Sequence, residues 1–334
     1  MTTADLTRNA SGIDGTKESA IRWIFFGCAF LSVLTTLGIV LVLINGTVGF
    51  FRSATLWDLL VGVVTAGGIV ESLDSLRSGL STDVTVREYL FGTEWSPLIA
   101  PRSYGVLPLI WGTLLITVGS ALIAIPVGTA TAIYLSEYAE ASVRATVKPI
   151  LEILAGIPTI VYGFFALSFI TPLIQRAFPQ TGTFNVAAAA IVVGIMIIPM
   201  VSSLSEDAMH AVPDDLREAA YGLGATRFEV STGVVLPSAL SGIFASYILA
   251  ISRAIGETMA VTLAAGMAPQ FTTSPFEPIQ TMTAYMVQVG ISDVSVGSVG
   301  YQSLFAVGMT LFVMTLAMNV LSIWFSRRYR EEYR

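Results

Sequence analysis

Glu218-Ala219-Ala220-Tyr221-Gly222-Leu223-Gly224, running on to Val234-Val235-Leu236-Pro237, is a polar stretch set between strongly apolar ones. Just upstream, Pro213 precedes Asp214 and Asp215. Proline is tolerated in a first helical turn and acids there complement the positive end of the helix dipole, so a short helix is expected to begin here. Ala219 and Ala220 let that helix sit close against another surface. Gly222 and Gly224 can adopt positive φ or bring backbone near backbone, so they are expected to end the helix and turn the chain. Leu236-Pro237 then reads as the start of the next apolar span, with proline where its missing N–H costs little. A polar loop between two membrane helices accounts for a bare Glu-Ala-Ala. It does not account for the whole spacing: three residues to Gly224, nine more to the aliphatic Val234, any residue, then Leu-Pro.

The flanking apolar runs belong to a chain in which hydrophobic residues make up 54% and charged residues 12%. Mean hydropathy is +0.75. Soluble domains carry about 25% charged residues, so this chain reads as an all-α polytopic membrane protein seated in a lipid bilayer. A net charge of −6 gives no nucleic-acid signal. The single cysteine, Cys28, permits no internal disulfide and no thiolate metal site, and the single histidine, His210, reads as structural or solvated. No metal site is expected from one Cys and one His. No G-x-x-x-x-G-K-[ST] phosphate loop occurs, and no serine elbow lies near His210, so no catalytic constellation and no cofactor are expected in this chain.

A span needs about 20 apolar residues, and runs near 21–44, 106–135, 149–171, 186–205, 238–268 and 302–326 qualify. The first lacks a small-residue cleavage site and is expected to be a retained helix. With the N-terminus inside, cytoplasmic segments hold Arg8, Lys17, Arg22, Arg144, Lys148, Arg217, Arg227, Arg327, Arg328, Arg330 and Arg334. The other side holds Arg52, Arg77, Arg87, Arg102 and Arg176, and Arg253 is intramembrane, which accounts for all 17 basic residues. The asymmetry predicts six helices, both termini cytoplasmic, and the 206–237 loop on the same side. The expected organisation is a cytoplasmic tail 1–20, a first transmembrane helix 21–51, an extracytoplasmic segment 52–105, a transmembrane domain 106–326 and a cytoplasmic tail 327–334. Residues 59–70 are apolar but too short to span, and are expected to form an interfacial or packed extracytoplasmic helix. Were they to span, the N-terminus would move to the other side.

Ionisable groups inside the apolar runs are costly and usually face a cavity or a partner. Arg253 lies about 16 residues past Pro237, roughly 24 Å along a helix, near or beyond the midplane. Glu257 is four residues on, so the two are expected on one helix face, where they can pair. Two readings stand: a structural salt bridge, or a guanidinium fork for an oxyanion with Glu257 neutralising the empty site. Glu152 is placed at the start of the third run, where an acid in a first helical turn is favoured by the dipole. A gating or pairing role with a basic group on another helix is the alternative.

The Glu218-to-Pro237 spacing resembles the cytoplasmic coupling loop of ABC-importer permeases, where a short helix docks into a cleft on a separate ATPase. The run Arg253-Ala254-Ile255-Gly256-Glu257-Thr258-Met259-Ala260-Val261 is similar to the matching helix of phosphate-specific members. Trp95-Ser96-Pro97, Tyr104-Gly105-Val106-Leu107-Pro108, Trp111-Gly112-Thr113, Leu151-Glu152-Ile153-Leu154-Ala155-Gly156-Ile157-Pro158 and Val161-Tyr162-Gly163 resemble their C-type subunit. The likeness covers about 95–326, and the 52–94 insert is longer than the family pattern. It implies a type I ABC importer permease fold in the cytoplasmic membrane and ATP-driven import of inorganic phosphate by alternating access. The partners it implies are a related permease in a heterodimer, an ATPase subunit dimer and an extracytoplasmic phosphate-binding protein. It also implies a substrate path at Arg253, Glu257, Thr258 and Glu152, and ATPase coupling through Glu218, Ala219, Ala220, Gly224, Leu236 and Pro237. A permease for sulfate or molybdate is the nearest alternative, and an ion-driven carrier without an ATPase is the alternative of another class.

Overall fold

The computed structural model describes residues 3–51 and 84–328. The expected helix at 59–70 lies outside them. The chain divides into two units, Met1–Ser81 and Thr82–Arg334. In the first, one helix, α1 (Thr3–Phe51), contains a candidate span at Glu18–Phe51. The helix therefore runs back through the region expected to be a tail. The successive residues Trp23, Ile24, Phe25 and Phe26, which point to all sides of the helix, are exposed, which suits a helix that is apolar all round.

Among the described residues, the regular structure of the second unit is helical apart from a two-stranded hairpin, β1 (Trp95–Ser96) against β2 (Ser103–Tyr104), preceded by the short α2 (Val86–Phe91). Five of its segments are long and apolar enough to cross a membrane: Leu107–Tyr138, Thr159–Ala177, Val186–His210, Arg227–Ile255 and Val299–Trp324. With α1 the described residues hold six candidate spans, the number expected.

The centre of the unit is the pair α3 (Leu107–Ile133) and α7 (Val186–His210). A Cβ at Gly119 would stand 2.9 Å from Ala190 Cβ, and one at Gly128 would stand 2.7 Å from Val201. On α7, a Cβ at Gly194 would come within 3.2 Å of Ile123 and of the Ser120 carbonyl. Small residues thus let the two backbones approach, the main source of helix association where lipid removes the hydrophobic drive. Ile116, Ala124, Val192, Val193, Met196 and Ile197 fill the seam. Its hydroxyls are satisfied inside their own helix: Thr113 donates to Leu109 O, Thr117 to Thr113 O and Ser120 to Ile116 O, at 2.7–2.8 Å.

Two expected span boundaries are corrected. The 149–171 run is not one helix: α4 (Ala141–Gly156) ends at Ile157, and a new helix begins at α5 (Thr159–Phe165). Ile157 and Pro158 are extended, with ψ of 129° and 134°, because the proline ring disfavours a helical residue before it. The span continues through a π-type turn at Ala166–Ile170 into α6 (Thr171–Ala177). The 238–268 run is also two pieces, α10 (Leu236–Ile255) and α11 (Met259–Ala265), separated by a bend at Gly256.

Candidate coupling surface and substrate path

The polar loop is built largely as its residues require. Pro213 stands at the N-cap of α8 (Asp214–Gly222), with Asp214 and Asp215 in its first turn. The helix closes at Gly222, and Gly224 turns the chain at φ +88°, where a side chain would be strained. Glu218, Ala219 and Gly224 are exposed and Ala220 is half-buried; beside them Tyr221, Leu223 and Phe228 are exposed apolar side chains. No residue of α8 is buried, so its outer face is open for contact.

Leu236-Pro237 does not begin the next span. The start lies at α9 (Arg227–Val230), where Thr226 and Glu229 form a reciprocal capping box. Glu229 accepts from Thr226 N at 2.7 Å, and Thr226 Oγ1 accepts from Glu229 N at 3.4 Å. A π-type turn at Ser231–Val235 joins α9 to α10, and Pro237 occupies the first turn after it. Thr226-x-x-Glu229 is a sequence signature of a helix start, and the apolar count overlooked it.

Beneath the loop lies a set of charges that sequence reading used only to orient the chain. Arg217 is 14% exposed and reaches three elements. Its Nη1 donates to Val212 O at 2.6 Å and Asp214 Oδ1 at 3.0 Å. Its Nη2 donates to Met209 O at 2.8 Å and Glu137 Oε1 at 3.4 Å. Nearby, the carboxylate of Glu206 is 1% exposed and pairs with Arg144 and with Lys148, whose Nζ lies 2.6 Å away. Lys148 also meets Asp207 at 3.2 Å. The hydrogen bond to Glu206 raises the Lys148 pKa above its ordinary value, against a smaller opposing effect of burial. Arg144 and Lys148, four apart on α4, are thereby tied to the end of α7; that i,i+4 spacing beside Glu206-Asp207 was the available signal.

Glu152 is not in a first turn. It is exposed near the C-terminal end of α4, where it lines an open hollow with Arg144 and Lys148, so capping does not explain it.

The expected Arg253–Glu257 pair is absent: no ion pair within 4 Å joins them among the described residues. Helix α10 ends at Ile255, so the two do not share a helix face. Arg253 is exposed and stands in the last turn of α10, two residues from its end, where a cation suits the helix dipole. Glu257 is 7% exposed, and its Oε1 accepts from Ala260 N at 3.1 Å, capping α11. The Glu257 carbonyl accepts from Thr283 Oγ1 at 2.7 Å. Thr258 Oγ1 donates to Gly256 O at 3.1 Å within the bend. His210 is exposed in the last turn of α7. Among the described residues no cluster of metal-ligating side chains occurs.

Residues 124–331 fit the binding-protein-dependent transport system inner membrane component. The chain belongs to that family. Its place is therefore the inner membrane, as a multi-pass transport component rather than a catalytic subunit. Similar proteins include a probable ABC transporter permease, YqgH, of Bacillus subtilis, 35% identical over 81% of this chain and 87% of its own. The phosphate transport system permease protein PstC of Mesorhizobium japonicum is 32% identical over 80% and 86%. The PstC of Haemophilus influenzae is 32% identical over 82% and 90%. Among solved structures, an inward-facing MetNI methionine ABC transporter superposes with a TM-score of 0.54 at 18% identity, covering 68% of this chain and 96% of that one. A bacterial alginate ABC transporter gives 0.52 at 16%, covering 84% and 96%. These two establish the type of fold, that of ABC importer permeases.

Proposed function

We propose that this chain is the C-type permease subunit of an ATP-driven importer of inorganic phosphate. The observation that carries the reading is the set of relatives at 32% identity over most of both chains that are named phosphate permeases. The site chemistry supports it. Arg253 is exposed with no acid within ion-pair distance among the described residues, so its guanidinium is free to meet an oxyanion with two parallel N–H donors. Glu257 is engaged at Ala260 N, so the bend holds its shape without Arg253.

In this reading the partners are a related permease in a heterodimer, two copies of an ATPase subunit, and an extracytoplasmic phosphate-binding protein. The ATPase takes up α8, with Ala219 and Gly224 at the contact and Leu223 and Phe228 supplying apolar anchors. ATP-driven closure of the ATPase dimer moves α8, and the spans rock to open the path alternately to each side. Arg253 lowers the barrier to an anion crossing a low-dielectric region, where an unpaired charge is costly.

The test is ATP-dependent uptake of labelled phosphate into proteoliposomes holding the full complex, with excess sulfate or molybdate present. Uptake that requires ATP and resists both competitors is the expected result. Uptake abolished by a competitor reassigns the substrate to another oxyanion and keeps the permease.

A further inference from the structure

We propose that Arg217 is the strut that carries movement of the coupling helix into the transmembrane spans, a positioning residue for transport. The proposal rests on reading α8 as the ATPase contact.

The geometry is that of a fixed link. One guanidinium, 14% exposed, is held by four acceptors on three separate pieces of chain. Asp214 belongs to α8 itself. Met209 offers a carbonyl in the last turn of α7, where helix carbonyls lack intrahelical partners and the dipole favours a cation, and Val212 offers one in the connection that follows. Glu137, 6% exposed on its side chain, belongs to the π-type turn Tyr134–Tyr138 that prolongs α3. Ser136 Oγ holds the same Glu137 oxygen at 2.8 Å, so the acceptor is itself positioned.

The two spans that Arg217 joins are the ones closely packed at Gly119, Gly128 and Gly194. Interfaces that close transmit displacement as a unit. A pull on α8 is therefore delivered to α3 and α7 together. Without the guanidinium, α8 keeps its chain connections at 211–213 and 223–226, the latter braced by Ala225 N donating to Ala220 O at 3.2 Å, and the contacts of Leu216 and Ala220 with the apolar cluster around Met209 and Val230, but no polar tie to α3. That arrangement is a hinge. Lysine cannot replace arginine here, because one ammonium on a flexible stem lacks the rigid fork that spans acceptors on separate elements.

The experiment uses the full complex in proteoliposomes and reads phosphate moved per ATP hydrolysed, at matched amounts of assembled complex. For Arg217→Ala the ratio is expected to fall on the order of tenfold, the equivalent of losing one or two charge-assisted hydrogen bonds in the coupled motion. Arg217→Lys should restore only part of it. Glu137→Gln, which weakens a single 3.4 Å contact, should lower it less than Arg217→Ala. An unchanged ratio in Arg217→Ala overturns the proposal. Should that variant fail to assemble, unchanged ratios in both Arg217→Lys and Glu137→Gln overturn it instead.

A second measurement does not depend on the substrate. Spin labels at Asp215→Cys and Tyr134→Cys, both exposed positions, in a Cys28→Ser background report the distance across the strut. In the native complex it should be the same with and without nucleotide, and in Arg217→Ala it should change. A native distance that shifts with nucleotide overturns the strut whatever the cargo. A fixed native distance in a complex that moves no phosphate leaves the strut standing and refutes the phosphate reading.

Discussion

Glu257 caps the backbone at Ala260, and Arg253 is left in the last turn of α10 with its guanidinium exposed. The four-residue spacing pointed to a pair on one helix face, which holds only while the helix continues. Gly256 lies between them, and it carries the bend that separates their surroundings. The two residues should therefore respond differently to substitution. Glu257→Ala removes a helix cap and should cost about 0.5–2 kcal/mol of stability, with Glu257→Gln close to native because its carbonyl still accepts. Arg253→Gln should change stability by less than about 0.5 kcal/mol, as exposed substitutions do, while sharply lowering phosphate uptake. Thermal unfolding of the assembled complex beside an uptake assay checks both. Equal destabilisation by Arg253→Gln and Glu257→Ala would favour a structural pair. Arg217 shows the opposite limit of legibility: as a charge it was visible, but its four acceptors come from residues 137, 209, 212 and 214, and no local spacing brings Glu137 to it.

At the scale of elements, long apolar runs found the helices, and polar punctuation decided where they end. Val186–His210 and Leu107–Tyr138 begin within a residue or so of where hydropathy placed them, because Asn185 caps the first and Pro108 opens the second. The runs at 149–171 and 238–268 failed because Pro158 and Gly256 interrupt stretches whose composition never changes. The close seam of α3 was hidden for another reason: a glycine in an apolar run does not reveal its neighbour. At Gly112 an added Cβ would meet the Gln280 carbonyl oxygen at 2.3 Å, and backbone cannot step aside as a side chain does. Gly112→Ala should therefore destabilise the complex by about 1–3 kcal/mol, readable as a lowered midpoint in thermal unfolding. Gly156→Ala, with nothing near its Cβ position, is the control. The tether of α4 makes a pH prediction. Lys148 is held above its ordinary pKa, so its contribution is complete below the unfolded value, about 10.4, and is lost as pH rises through the higher folded value. Hydrogen exchange in α4, corrected for intrinsic rate, should stay constant from neutral pH to about that value and quicken above it. Quickening already near neutral pH would mean that Lys148 does not hold the helix.

For the whole molecule, composition alone fixed the class, since 12% charged residues leave water-soluble packing no surface to present, while the number of spans came from the lengths of the apolar runs. Orientation rests on a separate argument. Lys and Arg gather at the end of the bundle where Arg144, Lys148 and Arg217 meet the acids at 137, 206 and 214, and basic loops stay on the cytoplasmic side during insertion. That end carries α8, so the proposed ATPase contact lies where the basic residues gather, as it must if ATP drives the motion. Leu223 is 91% exposed at this end, and Val296, 82% exposed, stands in the loop before Val299–Arg328 at the other. Single cysteines at these two positions, in a Cys28→Ser background, make the orientation measurable with a membrane-impermeant thiol reagent. In vesicles stripped of the ATPase, which would otherwise cover Leu223, Leu223→Cys should be labelled only in inside-out vesicles, and Val296→Cys only in right-side-out ones. Labelling of both from one side would contradict a span count that puts an odd number of crossings between them. The reverse pattern would place α8 away from cytoplasmic ATP and remove the physical basis for coupling through Arg217.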